Sequence, residues 1–168
     1  RGEKTDDETI ARAYDYVQAL GKLPIVVNDS RGFYTSRTFA TFVMEGAAML
    51  GEGIPAPVIE NLAMQVGMPV GPLAVIDETA LTLSVHVLEQ TREDFKKEGR
   101  SYAESPGELL VERMVKEFKR GGRASGGGFY DYPAGQKKML WSELKKIFEK
   151  SHVTLNLQDI KDRILYRQ

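Results

Sequence analysis

The chain has 168 residues, 42% hydrophobic and 28% charged, a composition that suits a globular domain with one real core. Its 23 Lys plus Arg against 24 Asp plus Glu leave no cationic field to attract nucleic acid or an anionic membrane. With no cysteine it has no disulfide, no thiolate metal site and no cysteine nucleophile, and imidazole chemistry is limited to His86 and His152, far apart in sequence.

The absence of cysteine fits a reducing compartment. No apolar run approaches the roughly 20 residues of a membrane span, and no secretory signal pattern opens the chain. Residues 5–20 are expected to form a helix. Thr5 and Glu8 have capping-box spacing, and Ile10, Ala13, Tyr14, Val17 and Leu20 keep a helical period up to Gly21. Leu23-Pro24-Ile25-Val26-Val27 then reads as a short strand without alternation, the pattern of a strand buried on both faces. One strand makes no sheet, so residues 1–29 are expected to be the last α-β unit of a domain whose other strands lie upstream.

The central stretch is Asn28–Leu50. It enters through polar turn residues and Gly32, and then Phe39, Phe42, Val43, Gly46, Ala47 and Leu50 recur at steps of three and four. Gly46 and Ala47 on that stripe permit close approach of another backbone, and Gly51 and Gly53 end the helix. Pro55 and Pro57 open a short helix carrying Val58, Ile59, Leu62, Ala63 and Val66. Gly67-Met68-Pro69-Val70-Gly71-Pro72 holds two prolines and two glycines in six residues, so it must be a rigid turn.

Helix signals resume at Leu73 and run to about Lys97, with a break near Glu78–Thr79. Ser105, Pro106 and Glu108 mark another start, followed by the stripe Leu109, Leu110, Met114, Val115 and Phe118. Residues 121–132, GGRASGGGFYDY, contain five glycines and an aromatic cluster. The spacing matches neither GxGxxG nor GxxxxGK[ST], so a closing loop pinned by Phe129 and Tyr130 is favoured over a phosphate cradle. A basic amphipathic helix is expected over 137–150, with Leu140, Trp141, Leu144, Ile147 and Phe148 on its apolar face, and another begins at Asp159. Glu45, Asp77 and Glu78 read as buried or capping carboxylates, since no histidine stands beside them at ligand spacing. Lys96, Lys97 and Arg100 read as a solvated helix end.

Three segments, GKLPIVVNDSRGFYTSR (21–37), GMPVGPLAVID (67–77) and GGRASGGGFYDY (121–132), stand in an order and spacing that resemble one family. It is that of the 3-hydroxyacyl-CoA dehydrogenases, in their C-terminal helical domain, and most closely the multifunctional fatty-acid β-oxidation proteins that fuse this enzyme to an enoyl-CoA hydratase. The resemblance implies a mainly α fold: residues 1–29 would end an upstream nucleotide-binding (Rossmann) domain and 30–135 would be the helical domain. Residues 136–168 would link into a truncated second helical repeat. It implies oxidation of a 3-hydroxyacyl-CoA to the 3-ketoacyl-CoA with NAD. NAD and the histidine base, oriented by a glutamate, would be held by the Rossmann domain, so no catalytic residue is expected within this chain and neither His86 nor His152 inherits the role.

Where the family pattern GF-x-x-N-R has an asparagine beside the chemistry, GFYTSR puts Ser36, which is shorter and lacks the amide. The turn Met68, Pro69, Val70 and Gly71 would line the acyl chain. Implied partners are an acyl-CoA substrate and a second copy of this chain as a homodimer, and a bacterial member would be cytoplasmic. Two other readings stay open: the helical half of another β-hydroxyacid dehydrogenase, and a helical interaction or dimerisation module without catalysis.

Overall fold

Acidic and hydroxyl residues at the beginning of the chain decide where its first helix starts. In the computed structural model, which describes residues 1–150 and 153–167, α1 runs Asp7–Ala19 and its cap is Asp6, whose Oδ1 accepts from Thr9 N at 2.7 Å. The expected Thr5–Glu8 box is not the one used. The Thr5 hydroxyl instead accepts from Gly2 N at 3.2 Å, tying down the turn before the helix. Asp6 and the acidic first turn of Asp7 and Glu8 complement the helix dipole.

The expected strand at 23–27 does not form. The run is extended, but among the described residues it has no ladder partner, and Leu23 is 90% exposed. The composition is apolar and β-branched, but a strand exists only by exchanging hydrogen bonds with a neighbour. Its ties are to the chain start, where the Arg1 ammonium donates to Val27 O and Asp29 N donates to Arg1 O. These elements belong to a first compact unit, Arg1–Ala40, and a second begins at Thr41.

The central helix, α2 (Thr35–Glu52), buries Val43, Gly46, Ala47, Ala48, Met49 and Leu50 in the second unit. The small residues do what their size permits. A Cβ on Gly46 would stand 2.5 Å from Pro72, and one on Gly107 would fall onto the carbonyl oxygen of Met44. Glycine therefore lets α4 (Pro72–Thr79) and α6 (Pro106–Lys116) approach α2 at backbone range. Between them lie α3 (Ala56–Gln65) and α5 (Leu81–Lys97). The α4–α5 break falls at Ala80, which has φ +72, a conformation costly for a residue with a Cβ. The capping box of α6 forms as read: Ser105 Oγ accepts from Glu108 N at 3.2 Å, and Glu108 Oε2 accepts from Ser105 N at 2.6 Å.

The last third departs from the expected helix over 137–150. Met139–Leu140 form β2, paired antiparallel with β1 (Tyr130–Asp131), and only Glu143–Phe148 is helical, as α7. Pairing with a strand already held by the glycine-rich loop outweighs the helical period of four residues. α8 (Leu157–Tyr166) starts two residues earlier than expected, because Asn156 Oδ1 accepts from Gln158 N and Asp159 N, both at 3.1 Å. Its Ile160 and Ile164 are each 1% exposed and pack into the common core, worth about 2 kcal/mol apiece in burial. On the flank of α8, Arg163 Nε donates to Glu45 at 2.6 Å, and its two terminal nitrogens grip Glu52 at 2.6 and 2.7 Å.

Candidate functional site

The turn between α3 and α4 has its two ends fixed by different means. At its start, Gly67 N donates to Met64 O at 3.2 Å and Met68 N to Ala63 O at 3.1 Å, closing α3. At its end, Pro72 is the first residue of α4 and needs no donor partner, while the cap residue Gly71 has no side chain to satisfy the next amides. Glu60, one helix away on α3, supplies that cap. Its Oε1 accepts from Leu73 N at 2.8 Å, and Ala74 N also donates to the carboxylate. A Cβ on Gly71 would fall on that carboxylate, so the side chain missing at 71 makes room for the one at 60. Burial, the largest influence, pushes the Glu60 carboxyl above its usual range, against the pull of its hydrogen-bond donors.

The other oxygen of Glu60 accepts from Tyr130 OH at 2.5 Å, linking the turn to the glycine-rich loop. The loop is clamped a second time at Asp77, near the end of α4. Asp77 is fully buried; it accepts from Phe129 N at 2.7 Å, from Tyr130 N at 2.9 Å and from Tyr132 OH at 3.2 Å. Gly128 is required there, since its Cβ would land on Asp77 Oδ1. Burial and the neighbouring carboxylates raise both phenols, so Tyr130 and Tyr132 keep their protons and donate them to Glu60 and Asp77. Arg120 closes the assembly, donating to Gly128 O and Asp131 at 2.5 Å and to Tyr130 O at 2.9 Å, with its guanidinium 4.3 Å from the Trp141 ring centre. Phe129, wholly buried, pins the loop as read, and Tyr130 is half-buried.

The glycine-rich loop uses its own amides. Gly122 N donates to Gly127 O and Gly127 N back to Gly122 O, Gly128 N donates to Tyr130 O, and the next two amides are held by Asp77. The amides of Gly122 and of residues 127–130 are thus engaged within the fold and are not open to cradle a dinucleotide phosphate.

Of the sequence-derived site residues, Ser36 is the second residue of α2, exposed, and lies in the first unit. Met68, Pro69, Val70 and Gly71 lie in the second unit, with Met68 and Val70 half-buried, Pro69 exposed and Gly71 buried. His86 is exposed on α5, and His152 lies outside the described residues. Glu45 and Glu78 are ion-paired, to Arg163 and Lys138, and Asp77 is a buried structural acceptor. Among the described residues no group of three His, Cys, Asp or Glu is placed to hold a metal, and no helix is long and apolar enough to cross a membrane. Lys97 and Arg100 pair locally with Asp94 and Glu98, as a solvated helix end does.

The residue that the sequence reading passed over is Glu60. Its signal is a charge on the buried stripe of α3, in phase with Ala56 and Ala63. The site therefore offers shape: a stiff apolar turn whose polar backbone is satisfied from behind.

Residues 32–132 match the family described as "3-hydroxyacyl-CoA dehydrogenase, C-terminal domain". The chain is 30% identical over 162 residues to the fatty acid oxidation complex subunit alpha of Shewanella sp. strain ANA-3, covering 96% of this chain and 22% of that protein. It is 32% identical over 145 residues to the subunit of the same name from Vibrio cholerae serotype O1, covering 86% and 20%. It thus spans about a fifth of the length of these curated relatives. Among solved structures, the (S)-3-hydroxybutyryl-CoA dehydrogenase of Ralstonia eutropha superposes with a TM-score of 0.66 at 30% identity, covering 79% of this chain and 46% of that one. The turn built on Glu60 and the loop clamped by Asp77 both fall inside the matched segment, and with the helices that carry them they make this chain a member of the 3-hydroxyacyl-CoA dehydrogenase C-terminal domain family.

Proposed function

We propose that this chain is the helical part of an NAD-dependent 3-hydroxyacyl-CoA dehydrogenase of fatty-acid β-oxidation, where it shapes the acyl-CoA pocket and carries domain or subunit contacts. The observation behind this is the match of residues 32–132 to the family, a segment that contains all of GFYTSR, GMPVGPLAVID and GGRASGGGFYDY. The reading assigns Met68, Pro69, Val70 and Gly71 to the wall beside the acyl chain and Ser36 to the neighbourhood of the thioester. It assigns NAD to a nucleotide-binding domain N-terminal to these residues, in keeping with a glycine loop whose amides at 122 and 127–130 are engaged in the fold. For a bacterial member, a cytoplasmic location goes with the same reading. The 168 residues on their own, mixed with NAD and 3-hydroxybutyryl-CoA, are expected to form no NADH. NADH formation by the pure chain would place the chemistry inside it and overturn the assignment.

Ser36 tests the reading at finer grain. In the full-length protein, Ser36→Ala removes one hydrogen bond to the substrate, made directly or through a water, and is expected to cost on the order of 1 kcal/mol, a several-fold loss in kcat/KM. Unchanged kinetics would reduce Ser36 to a helix-start residue.

The reading also includes a homodimer of this chain. α8 already covers part of the core, but Leu83 and Val87, one turn apart on α5, remain 55% and 54% exposed. A two-fold contact lets one such face serve both partners. Light scattering is expected to report twice the 18.8 kDa chain mass. A clean monomer at high concentration contradicts it.

A further inference from the structure

Three features outside the sequence-derived site invite a role. The apolar pocket of about 460 Å³ between Pro55, Leu140 and Trp141 has nothing beside it that selects an occupant. The Arg92 cluster with Glu104 and Glu112 is a satisfied network tying α5 to α6. Glu60 differs from both, because it is a buried charge placed against the one turn to which the proposed function gives a substrate.

α4 has only eight residues and begins at the turn, so the direction of its first amides sets the direction of the turn's last peptide. Those amides, Leu73 N and Ala74 N, are held by a side chain from another helix instead of by their own cap. Gly71 admits that side chain only because it has no Cβ. From the other side Pro72 rests on Gly46, which fixes the depth of the turn. Tyr130 completes the arrangement: its hydroxyl fills the second oxygen of Glu60 while its own amide is held by Asp77. A carboxylate with three donors in a buried place has one favourable position.

We propose that Glu60 is the positioning residue of the Met68–Gly71 turn, setting the width of the acyl-lining wall and hence acyl chain-length preference, and that Tyr130 acts through it. This rests on the reading that the turn lines the acyl chain. Glu60 touches no reacting atom. Its effect is to hold backbone that would otherwise have a range of positions, and misplacements of about an ångström are known to be kinetically expensive.

The test compares 3-hydroxydecanoyl-CoA with 3-hydroxybutyryl-CoA in the full-length protein, reading the ratio of their kcat/KM values. Glu60→Ala is expected to lower that ratio between about tenfold and a hundredfold. Glu60→Gln keeps an oxygen for Leu73 N and Ala74 N and an amide for Tyr130, and should hold the ratio within about threefold of the parent, since it retains the hydrogen bonds. Tyr130→Phe deletes a single hydroxyl and keeps the fold testable should Glu60→Ala misfold; a several-fold fall is expected from it. A merely structural role would lower activity on both substrates alike and leave the ratio unmoved, and an unmoved ratio in Tyr130→Phe and in folded Glu60→Ala overturns the proposal. Val70→Trp separates this from the underlying reading. If it shifts the ratio while the Glu60 and Tyr130 variants do not, the positioning role alone fails. If Val70→Trp also leaves the ratio unmoved, the turn does not line the acyl chain and both fall.

Discussion

Asp77→Ala is expected to destabilise the second unit by about 3 to 5 kcal/mol, the combined cost of leaving several buried donors without a partner. The carboxylate is fully buried and takes hydrogen bonds from two backbone amides and one phenol, all on the loop it holds. Alanine leaves those three donors without their acceptor. Urea unfolding measures the loss, and amide exchange at Phe129 and Tyr130 locates it. A loss below about 1 kcal/mol would mean the loop is held mainly by Phe129 and Arg120. The pH dependence has a definite sign. Burial raises the Asp77 carboxyl above its ordinary 3.8, so the stability linked to this group is full below that value and falls as pH rises through the raised one. Asp77→Asn cannot ionise and should lack that fall.

Gly107→Ala should be nearly as damaging, for a steric reason. Replacing glycine by alanine inside a solvent-facing helix normally stabilises by up to about 1 kcal/mol. Here the added methyl would lie on the Met44 carbonyl oxygen, 2.7 Å from its carbon and 2.9 Å from its Cα. All are backbone atoms of α2, so no rotamer change relieves the overlap, and α6 must withdraw with its buried Leu110, Val111 and Met114. A loss of about 3 kcal/mol or more is expected. A neutral or stabilising result would show that α6 is not seated on α2 at the distance described.

Signals confined to a few neighbouring residues were legible. The α6 capping box, the proline start of α3 and the stop near residue 79 each depend on contacts within one turn of helix. Pairing was not legible. Residues 23–27 have strand composition but no neighbour to bond, and Met139–Leu140 have helical phase but a waiting partner in Tyr130–Asp131. The composition of the 67–72 turn announced its stiffness, and its motif pointed to a family. What holds it could not be read along the chain, because Glu60, Leu73 and Tyr130 meet only when three distant segments fold together. Asp77 was recognisable as a buried carboxylate; its three partners, more than fifty residues away, were not. Glycine at 71, 107 and 128 reports the same fact in sequence form, a side chain left out because another group occupies the space.

The most direct test of the central claim is substrate oxidation by the full-length protein that carries this chain. Supplied with NAD, it is offered a 3-hydroxyacyl-CoA thioester and, separately, the free 3-hydroxy acid. NADH formation from the thioester, with little from the free acid, is the predicted result. Oxidation of the free acid in preference to the thioester, or of neither, would contradict it: the first would make these helices part of a different β-hydroxyacid dehydrogenase, and the second would leave them a packing and dimerisation module.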